Sequence, residues 1–131
     1  MTSYIQSNQP VFLPDAAQIL SAVDTGKIML INTVTATRTY TLPAVAPGLH
    51  YTFLNMSPGV LGANIKITGG ANSMQGTLFT LAATAAVANT FVNFITGATL
   101  KGDRLDIICD GTQWCVLGTT SVAGALTATN V

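Results

Sequence analysis

Read for its hydrophobic and polar positions, the chain is a succession of short runs cut by Gly, Pro, Asn and Asp, and the sharpest of them is GDRLDIICDGTQWCVLG at 102–118. Leu105, Ile107 and Cys109 alternate with Arg104, Asp106 and Asp110, which predicts a strand with one apolar and one polar face, Ile108 being the exception. Asp110-Gly111 supplies the turn, since Gly accepts positive φ and Asp bonds its own backbone two residues on. The second strand returns from Trp114, the only Trp, to Leu117. Asp110, Gly111 and Trp114 are therefore expected to carry a structural hairpin.

The same signals repeat along the chain. Pro10 and Pro14 bracket Val11, Phe12 and Leu13, which argues against a helix and for an extended arm or edge strand. Asp15-Ala-Ala-Gln18 has the form of a cap for a single helical turn, ended by Asp24-Thr25-Gly26. KIMLIN at 27–32 is apolar on both faces and predicts an interior strand. Thr occupies every second position over 33–41, an invitation to an ice-binding reading, but TATR at 35–38 also makes a loop, and ordinary strand preference accounts for the threonines.

LHYTFLN at 49–55 places Tyr51 and Phe53 opposite His50, Thr52 and Leu54, and NIKIT at 64–68 turns Ile65 and Ile67 inward and Lys66 outward. Further strands are expected around Gly76 and over 90–96, with a low-complexity Ala-rich connection at 82–88. The uncharged stretch 78–100 raises the question of a membrane span, but its many Thr and Asn residues and Gly97 fit two strands and a connection better. The sum is eight or nine short strands and no amphipathic helix, which predicts an all-β, compact antiparallel β-sandwich, jelly-roll-like. Its parts are an N-terminal arm (1–14), the sandwich (15–120) and a C-terminal tail (121–131).

Composition changes this picture in one respect. Only 8% of the 131 residues are charged, against roughly 25% in ordinary soluble domains, and all five acidic residues are Asp. A folded monomer of this mass exposes on the order of 6,500 Å², so its surface is unusually poor in charge, as expected where other chains cover part of it. That predicts an oligomer, a trimer being the form expected. Zero net charge and scattered basic residues give no field for nucleic acid or an anionic membrane.

Candidate chemistry is sparse. His50 is the only His and lies mid-strand; no Ser sits in a nucleophile-elbow context, and two Cys without a second His make no zinc set. Asp103 and Asp106 point to opposite faces of a regular strand, and Gly69-Gly70 lacks the Lys-Ser/Thr of a phosphate loop. A two-residue loop sets Cys109 opposite Trp114 and a three-residue loop sets it opposite Gln113, so neither aligns Cys109 with Cys115, and both are expected as free thiols. No catalytic, cofactor or metal site is expected, and the chain is not expected to be an enzyme.

The series DTGKIMLIN (24–32), YTLPAVAPGLHYTFLN (40–55), ITGGANSMQGT (67–77) and GDRLDIICDGTQWCVLGTT (102–120) resembles a small β-rich module of bacteriophage virion structural proteins. Members read as a D-S-G-K turn, a V-T-L-P-A…G-L-x-F-T-F strand pair and a closing G-D…L-x-S-D-G-T-x-W-x-V hairpin. This chain departs from the pattern at Cys109 and Cys115, where Ser and Tyr are more usual, and in the polar loop after Asn55. The module occurs appended to tail-fibre-like proteins and as short chains. The resemblance implies a virion structural protein, located in the virion after assembly in the host cytoplasm.

With the chain beginning at Met1 and ending soon after the module, the expected role is a capsid decoration, or head cement, protein that binds the major capsid protein lattice as an oligomer. Tyr4, Ile5, Val11, Phe12 and Leu13 of the arm are the candidate docking residues, being apolar side chains that a free tail does not need. The alternative is a tail-fibre or receptor-binding tip that holds a host glycan in an exposed loop such as 57–63.

Overall fold

The structure, a computed structural model, describes residues 10–130 except Thr33 and residues 59–60, 71–73 and 82–83. Short apolar-alternating runs separated by turn residues cannot nucleate helices, and they form strands wherever one face can be buried. In chain order these are β1 (Val11–Phe12), β2 (Gln18–Ile19), β3 (Ile28–Ile31), β4 (Arg38–Thr41), β5 (His50–Asn55) and β6 (Ile65–Thr68). They are followed by β7 (Met74–Phe79), β8 (Thr84–Asn89), β9 (Phe91–Phe94), β10 (Arg104–Cys109), β11 (Trp114–Thr119) and β12 (Leu126–Thr129). A seven-stranded sheet ordered β1-β3-β5-β10-β11-β7-β8 packs on a five-stranded sheet ordered β12-β9-β6-β4-β2. The protein is thus an all-β sandwich, as the sequence predicts.

The strand directions correct the antiparallel expectation. From β1 to β6 the chain alternates between the two sheets, so each return to a sheet follows one full turn and runs the same way as the strand before it. β1 pairs parallel with β3 and β3 with β5 in the large sheet, while β2 pairs parallel with β4 and β4 with β6 in the small one. Parallel pairs need a crossover, and here a strand of the opposite sheet supplies it in place of a helix. The second half is built from hairpins, β7 with β8 and β10 with β11, and from β9, which pairs antiparallel with β6 and β12. β10 joins the halves antiparallel to β5, and β11 lies parallel to β7. Both sheets are therefore mixed, and the jelly-roll likeness extends to the two-layer layout and not to strand direction.

Several local expectations are also corrected. Residues 82–88 do not form a loose connection throughout, because Thr84–Asn89 is the edge strand β8. Residues 121–131 are not a tail, because β12 pairs with β9 and its Leu126 is buried in the core. The arm stops short of residue 14: β1 is an edge strand, with Leu13 buried and Val11 packed on the core. Asp15 caps no helix. Its carboxylate accepts from the Thr35 amide at 3.1 Å and hydroxyl at 2.7 Å and from Arg38 Nε at 2.7 Å, holding the 35–38 loop. The one helical turn among the described residues, Ala22–Asp24, is capped by Ser21.

The core lies between the sheets, and Trp114, Tyr40, Tyr51, Phe53, Phe94 and Met74 in it are almost fully buried. Tyr40 donates from its hydroxyl to the Pro14 carbonyl at 2.6 Å, and Tyr51 donates to that of Ser21 at 2.8 Å. These two bonds tie successive turns of the first half together. No helix among the described residues is long and apolar enough to cross a membrane.

Candidate docking face

The central hairpin forms with Cys109 opposite Trp114. The Asp110 carboxylate accepts from the Thr112 and Gln113 amides at 2.8 and 2.9 Å, and these bonds, with that of the Thr112 hydroxyl, hold its pKa below the usual carboxylate value. Gly111 has φ +108°, a value a side chain resists. Trp114 is buried at 6.2 Å, ring to ring, from Tyr51. All three residues predicted for the hairpin are therefore structural. Cys109 and Cys115 are free thiols, the first buried and the second exposed, because neighbours across the turn alternate between faces.

In a two-layer sandwich every second residue of a strand faces away from the core, and on the seven-stranded sheet the register arranges these residues in rows. One row runs Phe12, Leu30, Leu54, Arg104, Thr119 and Phe79 across β1, β3, β5, β10, β11 and β7. The next runs Ile28, Thr52, Asp106, Leu117 and Thr77, and a third His50, Ile108, Cys115 and Gln75. Phe12, Ile28, Phe79, Ile108 and Leu117 are between 38% and 62% exposed, so large apolar side chains flank both sides of the central strand. Solvent-facing strand positions ordinarily carry polar residues, so this face is apolar beyond what an open sheet surface needs.

The polar centre of that face satisfies itself. Arg104 donates from Nε and Nη2 to Asp106 at 2.9 and 3.1 Å, and the Thr52 hydroxyl donates to the same carboxylate at 2.7 Å. The Asp106 hydrogen bond, and then its charge, raise the Arg104 pKa. The opposite face of the sandwich is unlike it. On the five-stranded sheet Thr39, Thr41, Lys66, Asn93, Thr127 and Thr129 lie on the outer side, with Asn93 Nδ2 donating to the Thr127 and Thr129 hydroxyls at 3.4 and 3.2 Å. Lys66 Nζ sits 5.5 Å from the centre of the Phe91 ring.

The arm residues part company here. Phe12 projects onto the apolar face, Leu13 points into the core and Val11 packs against it, so Leu13 is spent on folding. Tyr4 and Ile5 lie outside the described residues. The loop expected to hold a glycan is described at 57–58 and 61–63. Ser57 and Leu61 are buried, Ser57 Oγ donates to Asn55 Oδ1 at 2.8 Å, and only Pro58 and Gly62 of its described residues are exposed.

His50 is exposed at a corner of the apolar face, its Nδ1 3.2 Å from the Gly48 carbonyl. Asp103 is buried and accepts from the Leu100 and Ser121 amides at 2.8 and 3.1 Å. Among the described residues no three His, Cys, Asp or Glu side chains cluster. Ile28, Leu30, Leu54, Phe79 and Leu117 were not singled out by sequence reasoning. For Ile28 and Leu30 the signal was present in KIMLIN, apolar on both faces, which in a two-layer fold means an apolar outer surface as well as an interior strand; Leu54, Phe79 and Leu117 lie on other strands and share no such run. Compared with models of known protein families and with curated proteins, the chain matches none.

Proposed function

We propose that this chain is a structural component of a bacteriophage virion surface, a capsid decoration protein that binds the major capsid lattice as an oligomer. The observation that carries the proposal is the apolar outer face of the seven-stranded sheet, whose five large exposed side chains suit coverage by protein. The sparse charge of the whole chain and its likeness in sequence to a phage virion module support the same reading. Repeated copies on a lattice would multiply weak contacts through effective concentration, which suits a rigid sandwich with a broad, chemically plain surface. Phe12 extends that surface to the edge of the sheet.

The test is binding of the purified protein to capsids lacking it, alongside binding to host cells. Saturable capsid binding is expected. Cell binding without capsid binding would instead support a receptor-binding tip.

A further inference from the structure

We propose that the outer face of the seven-stranded sheet is closed in solution by the same face of a second copy of this chain. The inference rests, with the proposed function, on this face being covered, and it assigns the cover to a second copy, so that contact with a lattice falls to the other surfaces of the dimer. Its first support is the placement of the residues. β10, fourth of the seven strands, carries the charged pair, while Phe12, Leu30 and Leu54 lie to one side of it and Leu117 and Phe79 to the other. A two-fold axis in the contact plane along β10 exchanges the two sides, so each copy's first flank covers the second flank of its partner. A face with one apolar flank would gain nothing from that operation.

Area and charge agree with this. β1 has two residues, β3 four and the other five strands six each, so at about 3.3 Å per residue and about 4.8 Å per strand the face covers about 570 Å². Two such faces bury about 1,100 Å², above the roughly 1,000 Å² that a specific protein interface must clear. Arg104 and Asp106 neutralise each other within one chain, and Thr52 satisfies a further position on the carboxylate. Closing the face therefore strands no lone charge, the usual obstacle to covering a polar centre. The second copy also presents a sheet of the same twist, the condition for aligned sheet-on-sheet packing.

Sedimentation equilibrium at micromolar concentration tests the inference. The wild type should give twice the 13.5 kDa chain mass. Leu117→Asp and Ile108→Asp should each weaken dimerisation at least about ten-fold, a modest loss for a central apolar contact replaced by a buried charge. Ile19→Asp, exposed on the five-stranded sheet, should leave the dimer unchanged. Circular dichroism checks folding, and Thr77→Lys on the same face replaces either variant that unfolds. A monomeric or trimeric wild type, or a dimer that survives the face substitutions, overturns the inference. Capsid binding by a strictly monomeric protein would overturn it and keep only the lattice-binding part of the proposed function, whereas a dimer that binds no capsid would leave it standing and overturn the proposed function.

Discussion

The two halves of the chain build one sandwich by different means. From β1 to β6 the backbone winds between the sheets and every in-sheet partner within that half is parallel and distant in sequence. From β7 to β12 it folds back in hairpins, and the backbones come close enough for glycine to be required. The winding half is held by apolar burial and by side-chain bonds between successive turns, among them Asp15 to Thr35 and Arg38, Tyr40 to Pro14 and Tyr51 to Ser21. The hairpin half is held by turn chemistry and by Trp114. Substituting a glycine pressed against a neighbouring backbone in the second half should therefore cost more than losing one bond between turns in the first. The docking face needs both, since one flank comes from each.

The largest effect is expected at Gly76. Its φ is +152°, and a Cβ there would lie 1.8 Å from the Val116 carbonyl oxygen, a backbone atom of the neighbouring strand that cannot swing aside. Backbone strain and overpacking add, so Gly76→Ala should cost about 4 to 6 kcal/mol, and chemical denaturation should find it unfolded or barely folded. Trp114→Ala comes next at about 3 to 5 kcal/mol, the range for a large buried aromatic. Trp114→Phe should cost well under half as much, because Trp114 Nε1 is buried without an acceptor among the described residues and little hydrogen bonding is lost with the indole. Equal losses in the two Trp114 variants would contradict that account.

In the winding half the expected changes are smaller. Tyr51→Phe removes one hydrogen bond to the Ser21 carbonyl and should cost about 1 kcal/mol in urea unfolding. A loss as large as that of Trp114→Ala would erase the contrast between the halves. The smallest effects belong to the exposed carboxylates. Hydrogen bonds from Arg38 and Thr35 lower the Asp15 pKa, and those of Thr112 and Gln113 lower that of Asp110. Each contributes stability that is present above the unfolded value near 3.8 and is lost as pH falls through the lower folded value. Asp15→Asn and Asp110→Asn should each flatten the fall in urea midpoint between neutral pH and about pH 2. An unchanged acid slope in both would show that those bonds do not persist in solution.

What the sequence disclosed follows the same division. The β10–β11 hairpin was legible because its signals are local, alternation and Asp110-Gly111, but two registers stayed open, and the structure selects the one with Cys109 opposite Trp114. The winding was not, because parallel partners such as Leu30 and Leu54 carry no mark of pairing with each other; only the path of the chain sets it. β8 was obscured by alanine, which has little strand preference, and β12, LTAT, by the same alanine and by having only one large apolar residue. The prolines around β1 allowed an edge strand and hid that Leu13 belongs to the core. The docking face was half legible: Ile108 stood out as a break in alternation, but its neighbours on the face come from strands far apart in sequence.

Cys115 offers the most direct test of the claim that this face is covered. Its thiol is exposed on the face in a single chain, while Cys109 is buried, so a maleimide reports on one position. The labelling rate should fall as protein concentration rises through the association range, and Leu117→Asp should restore the full rate at every concentration. A rate independent of concentration, in a protein that sediments as an oligomer, would show that the chains meet elsewhere and leave this face open.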